Sequence, residues 1–338
     1  MFRTLLLLAA AVAVLSGALL AGATTAQPPP APPVLSLPLA CAPGRDCFVQ
    51  QGFDHDPGPG ARDYRCGAQT YDGHDGIDIR LPTIAAQQRG VAVLAAASGT
   101  VRAIRDNAPD RLAVTDADRA AIAGKECGNG VVLVHPGGWE TQYCHMAMGS
   151  IGVRAGEPVR AGQSLGRVGL SGNTQFPHLH FAVREGARKV DPFRPLAPAD
   201  SCAPQDGAML WDPRSAAALG WRESEIINAG FSNAAVPADV LEHEATHRPD
   251  GISPALVGYA RVIGLATGAT FRVTLSGPRG EVLATRSAVA DRHKAQYLIF
   301  AGKRRPPGGW LPGRYILSSD VTRDGRTIAA RSESIDLR

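Results

Sequence analysis

The fold class predicted by the sequence is all-β: two antiparallel β domains in series, the second a small β-sandwich of the immunoglobulin or fibronectin type. Two observations predict it. From Cys41 to about Pro195, short apolar runs alternate with Gly, Asn, Asp and Pro punctuation, the pattern of short strands joined by turns. From about Ala255 to the end such runs return, with clear alternation in Phe271-Arg272-Val273-Thr274-Leu275 and turn signals at Gly277-Pro278-Arg279-Gly280, Pro306-Pro307-Gly308-Gly309 and Asp324-Gly325.

Residues 1 to 26 read as a secretory signal peptide, because Arg3 precedes an uncharged apolar run from Leu5 to Ala21 and the small residues Ala21-Gly22-Ala23 and Thr24-Thr25-Ala26 follow. The run is also long enough for a membrane anchor, so membrane association is expected only where this segment stays uncleaved. Export to the periplasm or the extracellular space is the expectation. Residues 27 to 40 are Pro-rich (Pro28-Pro29-Pro30, Pro32-Pro33) and predict an extended linker without a core of its own.

Residues 41 to 204 form the first domain, with strand-like runs at Gly76 to Leu81, Val91 to Ala97, Thr100 to Ile104, Val131 to Val134, Glu140 to His145, Ser164 to Val168 and His178 to Val183. An Asp/Arg/Ala-rich insertion, Arg105 to Glu126, lacks strand alternation and is expected to hold a short helix. Residues 205 to 250 read as a connecting segment with short helices such as Glu223 to Ala229. Residues 251 to 338 are the sandwich, in which no catalytic cluster stands out.

Composition narrows the function. The 338 residues are 44% hydrophobic and 20% charged, which suits globular domains. A net charge of +4 without a dense Lys/Arg block gives no case for nucleic acid as partner. The six cysteines, Cys41, Cys47, Cys66, Cys127, Cys144 and Cys202, all lie beyond the signal, and an even count in an exported chain suggests disulfides. Cys127 lies eight residues before His135 and Cys144 eight after Pro136, so the two face each other across a hairpin turn.

The chemistry lies in two short segments. In Gly73-His74-Asp75-Gly76-Ile77-Asp78-Ile79 the spacing of four lets His74 and Asp78 project from one face at the entry to a strand. In Pro177-His178-Leu179-His180-Phe181-Ala182-Val183, His178 and His180 point one way while Leu179, Phe181 and Val183 point into a core. Two histidines and a carboxylate suit a catalytic zinc, which keeps a fourth position open for water, and His74, Asp78 and His180 can supply that set. His178 and His145 remain beside them, with Cys144 expected on the opposite side of its strand from His145. Two other clusters compete. Asp54-His55-Asp56 offers a second metal site or a solvated polar turn. His243-Glu244-Ala245-Thr246-His247 has the H-E-x-x-H pattern of another zinc-protease class, or forms an exposed polar helix that Pro249 ends.

The motifs resemble the LytM/lysostaphin-type zinc metallopeptidases over nearly all of residues 70 to 192. The match runs through His74-x-Gly76-x-Asp78-Ile79, Val93 to Val101, Gly128 to His135, Thr141-x-Tyr143-x-His145-Met146, Val159 to Gly166 and Pro177-His178-Leu179-His180-Phe181. The resemblance implies zinc on His74, Asp78 and His180, and roles for His145 and His178 in activating water or stabilising the transition state. It implies peptides of peptidoglycan as the partner, and hydrolysis of their cross-links by an exported endopeptidase. Degenerate members of that family act as activators of cell-wall amidases, so a latent regulator is the alternative. The five residues are intact here, which favours catalysis. The longer segments Cys41 to Arg65 and Arg105 to Glu126 are expected to border or cover the cleft.

Overall fold

The computed structural model describes residues 31–195 and 208–338. The expected signal peptide and residues 27 to 30 of the Pro-rich stretch lie outside the described residues. Among those described, no helix is long and apolar enough to cross a membrane.

The rest of the expected linker is extended but not free. Leu35 and Leu39 are fully buried. Leu35 bridges Trp211 and Leu39 bridges Val93, with main-chain hydrogen bonds from Leu35 to Leu210 and from Leu94 to Pro38. Proline keeps this stretch out of helix, and the leucines between the prolines give an extended chain something to bury. It is therefore part of the core.

The first part of the fold contains β1 (Phe48–Gln51), β2 (Ile77–Arg80), α1 (Ile84–Gln88), β3 (Ala92–Leu94), β4 (Gly99–Arg105), α2 (Asp116–Ala121), β5 (Asn129–His135), β6 (Trp139–Met146), β7 (Pro158–Val159), β8 (Ser164–Arg167), β9 (His178–Glu185) and β10 (Arg188–Val190). One sheet runs β1-β2-β9-β6-β5-β4-β7, with β10 folding back on β9, and β3 pairs β8 separately. All these pairings are antiparallel. Period-two alternation sends Leu179, Phe181 and Val183 of β9 into the same core as Ile77, Ile79, Val131, Leu133 and Tyr143. The opposite face of β2 and β9 is left for polar side chains.

The insertion holds the expected short helix, α2. Thr115 caps it reciprocally with Asp118. The loop leading to α2 is tied down by carboxylates: Asp106 accepts from the Ile151 amide, and Asp110 accepts from the amides of Met148 and Leu170.

The segment expected only to connect does more. It contains α3 (Pro213–Leu219), β11 (Glu225–Ser232) and α4 (Ala238–Glu242). Leu210, Trp211 and Leu219 complete the first core. The helix expected over Glu223 to Ala229 is instead strand β11, antiparallel to β12 (Ala255–Leu265). The β-branched pair Ile226-Ile227 favours a pleated surface, and the pairing with β12 overrides any helical preference of the flanking residues.

The remaining strands are β13 (Thr270–Ser276), β14 (Val282–Val289), β15 (Lys294–Arg304), β16 (Gly313–Arg323) and β17 (Arg326–Leu337). Sheet β11-β12-β15 packs on sheet β14-β13-β16-β17 around Ala260, Val262, Phe271, Val273, Ile299, Leu317 and Val321. The Tyr315 hydroxyl, near the start of β16, donates to the Leu311 carbonyl (2.8 Å), the tyrosine corner of immunoglobulin-like sandwiches. Phe48 of β1 joins Ile227 and Ile263 in a small apolar cluster that fastens the two parts together.

Candidate metal centre

Asp78 sits inside β2, and its partner across the sheet is His180 of β9. His74 reaches the same place from the loop before β2. Strand alternation therefore does not explain why His74 and Asp78 meet. A turn closed by the His74 amide on the Tyr71 carbonyl does, together with stacking of the Tyr71 and His74 rings at 4.4 Å. Gly76 between them is required by space, because a Cβ there would lie 2.9 Å from the His180 ring.

Three donor atoms converge. His74 Nε2 lies 3.1 Å from Asp78 Oδ1 and 3.1 Å from His180 Nδ1, and His180 Nδ1 lies 3.0 Å from Asp78 Oδ1. Their other ring nitrogens are engaged. His74 Nδ1–H donates to the Gly52 carbonyl (2.5 Å), which leaves Nε2 with its lone pair. His180 Nε2 lies 3.3 Å from Asp75 Oδ1, so a proton held there leaves Nδ1 free. Asp75 is steadied by Lys189 at 3.2 Å. Imidazoles oriented by a carbonyl and a carboxylate, with their free nitrogens aimed at one point beside a carboxylate, fit a divalent cation such as zinc.

The buried charges answer one another. Burial would raise the Asp78 carboxyl, but the neighbouring His74 and His178 hold it well below the usual carboxylate range. Burial would lower His180, but hydrogen bonds to Asp75 and Asp78 push it up to about 9. Among the described residues, no further His, Cys, Asp or Glu joins the three in a common ligand group.

His145 and His178 stand beside this group, their rings 4.6 Å apart. Both are buried, and each donates Nδ1–H to a carbonyl, His145 to Ser171 (2.8 Å) and His178 to Phe176 (2.9 Å). Nε2 of each is thereby the free nitrogen, and that of His178 lies 3.4 Å from Asp78 Oδ1. Burial, followed by the charges of His178 and His180, holds His145 well below the ordinary histidine range.

A cleft of about 290 Å³ opens onto this group, lined among others by His74, Gln142, Cys144, His145, His180 and Arg184. Cys144 and His145 both face it, contrary to the expectation of opposite sides. His145 has φ +60°, and the β5–β6 register slips between Asn129 and Val131, so two successive side chains share one face. Cys127 and Cys144 form the expected disulfide. Cys41 pairs with Cys47, and Cys66 is also disulfide-bonded.

The segment Cys41 to Arg65 borders the site. Gly52 fixes His74, Asp54 N–H donates to the His74 carbonyl, and Asp54 Oδ2 accepts from the Gly73 amide. Asp54 and His55 are thus structural, with His55 Nε2 2.8 Å from Asp191 Oδ2 in the interior. Sequence reasoning missed these outer partners of His74, since carbonyls carry no side-chain signature.

The H-E-x-x-H stretch is not a helix. α4 ends at Glu242, and Glu244 takes φ +51°. Glu242 turns inward to Arg80 and Arg261, and Glu244 stays at the surface, pairing with Arg89 and accepting from the Thr83 hydroxyl, while His243 and His247 are exposed. No metal group forms there among the described residues.

Residues 72–192 match the sequence profile of Peptidase family M23, which bears out the LytM/lysostaphin-type resemblance over that stretch. The chain is 31% identical over 129 residues to the cell division protein DipM of Caulobacter vibrioides, covering 37% of this chain and 17% of that one. It is 35% identical over 81 residues to the DD-carboxypeptidase/endopeptidase Mpg of Neisseria meningitidis serogroup B, covering 24% of this chain and 18% of that one. Both matches therefore span less than a fifth of the relative's length. Among solved structures, the catalytic domain of the prophage-encoded M23 protein EnpA of Enterococcus faecalis is 23% identical, with a TM-score of 0.30, covering 43% of this chain and 88% of that one.

Proposed function

We propose that this chain is an exported zinc metalloendopeptidase that hydrolyses peptide cross-links of bacterial peptidoglycan. Residues 41 to 204 carry the reaction, joined through 205 to 250 to the sandwich at 251 to 338. The observation that supports this best is the convergence of His74 Nε2, Asp78 Oδ1 and His180 Nδ1 at one point beside a solvent-open cleft. Of the relatives, one is by name a DD-carboxypeptidase/endopeptidase and the other a cell division protein, both compatible with work on wall peptides.

His74, Asp78 and His180 would hold the metal. When bound there, zinc supplies a Lewis acid for the scissile carbonyl and lowers the pKa of a water to about 7. His145 and His178 present Nε2 toward that place. One accepts a proton from the attacking water, and the other, once protonated, donates to the oxygen that gains negative charge. Their carbonyl partners keep both rings from turning away.

Hydrolysis is favoured over a latent regulator because the carboxylates at Asp106 and Asp110 hold the insertion's leading loop on residues 148 to 151 and 170, leaving the cleft open. The test is digestion of purified peptidoglycan by the protein lacking residues 1 to 26, with the products read by mass spectrometry. Loss of cross-linked dimers, abolished by His180→Ala, is the expected result. Zinc-loaded protein that leaves every dimer intact would favour the regulator.

A further inference from the structure

Arg80 stands two residues beyond Asp78 on β2 and directly across the sheet from His178. Its side chain is fully buried, an expensive place for a guanidinium unless its donors are matched. Three side-chain oxygens receive it: Gln50 Oε1 at 2.7 Å, Gln296 Oε1 at 2.9 Å and Glu242 Oε1 at 3.3 Å. Only Gln50 belongs to the peptidase sheet. Gln296 is on β15 of the sandwich, and Glu242 ends α4, where it is also paired to Arg261 of β12. Arg261 in turn donates to the Pro82 carbonyl and to Asn228 Oδ1.

The guanidinium also rests over the Phe176 ring, with its carbon 4.8 Å from the ring centre. Phe176 holds His178 twice. Its ring lies 4.5 Å from the imidazole, centre to centre, and its carbonyl accepts the Nδ1–H that leaves Nε2 facing Asp78. A continuous set of contacts thus runs from the sandwich through Glu242 and Gln296 to Arg80, Phe176 and His178.

We propose that the C-terminal sandwich is a working part of the hydrolase: Glu242 and Gln296 fix Arg80 on the Phe176 ring, and Phe176 orients His178. Arg80, Phe176, Glu242 and Gln296 are positioning residues, and this rests on the peptidase reading above. Holding a proton-transfer group in place matters because a misplacement of about 1 Å can cost about a hundredfold in rate. The sandwich would then not be removable without loss of turnover, even though it contributes no group to the cleft.

The test uses the full chain with Glu242→Gln, Phe176→Leu, the double variant and Phe176→Tyr, measuring zinc content, kcat, KM and the His178 imidazole resonances by ¹H–¹⁵N spectroscopy. Each of the first two is expected to lower kcat about tenfold or more while KM stays within about twofold and zinc is retained. Phe176→Tyr, which keeps the ring, should restore kcat. The double variant should be no slower than the slower single variant, because both break one route. Glu242→Gln should also move the His178 resonances, although Glu242 lies on the sandwich side.

Penalties that multiply in the double variant, or a Glu242→Gln protein with unchanged kcat and unmoved His178 resonances, would overturn the proposal. Should Glu242→Gln fail to fold, Gln296→Ala removes the other sandwich-side acceptor at an exposed position and takes its place in the cycle. Failure of the peptidase reading looks different. Wild-type protein would bind zinc without releasing peptides, and the resonance shifts would still decide the positioning claim.

Discussion

β2 carries two buried polar clusters two residues apart, and they are built in contrasting ways. At Asp78, imidazole nitrogens converge with a carboxylate oxygen on one point, and a cleft opens onto that point. At Arg80, the terminal guanidinium nitrogens meet acceptors: one carboxylate lies between two guanidinium groups, and amide oxygens take up further N–H bonds, with the Arg80 Nε–H left unpaired. The first cluster is a donor set that fits a divalent cation. The second is largely closed on itself and joins the two parts of the fold. Burial of charge alone therefore does not mark a reactive site; convergent ligand-type donor atoms beside solvent access do.

The sharpest way to break this contrast is at the first cluster. His180→Ala should abolish zinc binding and reduce peptide release by about a thousandfold or more, with the far-ultraviolet circular dichroism unchanged. An equally large loss of zinc from a change at Arg261 would mean that the clusters are not distinct in kind. Next in size, His145→Ala should retain zinc and lose about a hundredfold or more in kcat, which metal analysis beside steady-state kinetics would separate. Loss of the metal in that variant would make His145 a ligand.

At the second cluster the loss of His178 positioning should be joined by a loss of stability. Glu242→Ala leaves two arginines, Arg80 and Arg261, without their shared carboxylate, and is expected to lower the unfolding free energy by about 3 kcal/mol in urea titrations, with zinc retained. A neutral result would mean that water satisfies the guanidinium groups.

The smallest effect is expected at Glu225, at the start of β11. Burial raises its carboxyl to about 7, with Arg222 only partly opposing. Its folded pKa exceeds the unfolded one, so the native state binds more protons between about pH 4.5 and 7, and stability falls as pH rises through that window. Glu225→Gln should match the wild type near pH 4 and exceed it near pH 8 by about 2 kcal/mol. Equal stability at both pH values would mean that Glu225 ionises as it does in the unfolded chain.

What could be read from sequence follows the same division. Leu179 and Phe181 against His178 and His180 specify a two-faced strand, and the paired segments around Asp78 and His180 bring these side chains into register, so the grouping of the first cluster was legible. So was the Cys127–Cys144 bridge. The second was not, because Arg80, Glu242, Arg261 and Gln296 come from elements far apart in the chain, and no local pattern announces their meeting. Glu242 even stands immediately before a false metal motif, His243 to His247, whose helix ends too early to present its histidines. β11 was misread for a related reason: its strand character comes from pairing with β12. Leu35 and Leu39 looked like part of a spacer until the surface that covers them was in view.

The most direct test is anomalous diffraction at the zinc edge from crystals of the zinc-loaded protein. A single peak is expected at about 2.0–2.2 Å from His74 Nε2, an Asp78 carboxylate oxygen and His180 Nδ1, with a non-protein fourth ligand facing the cleft. A peak elsewhere, or a protein side chain in the fourth position, would contradict the account.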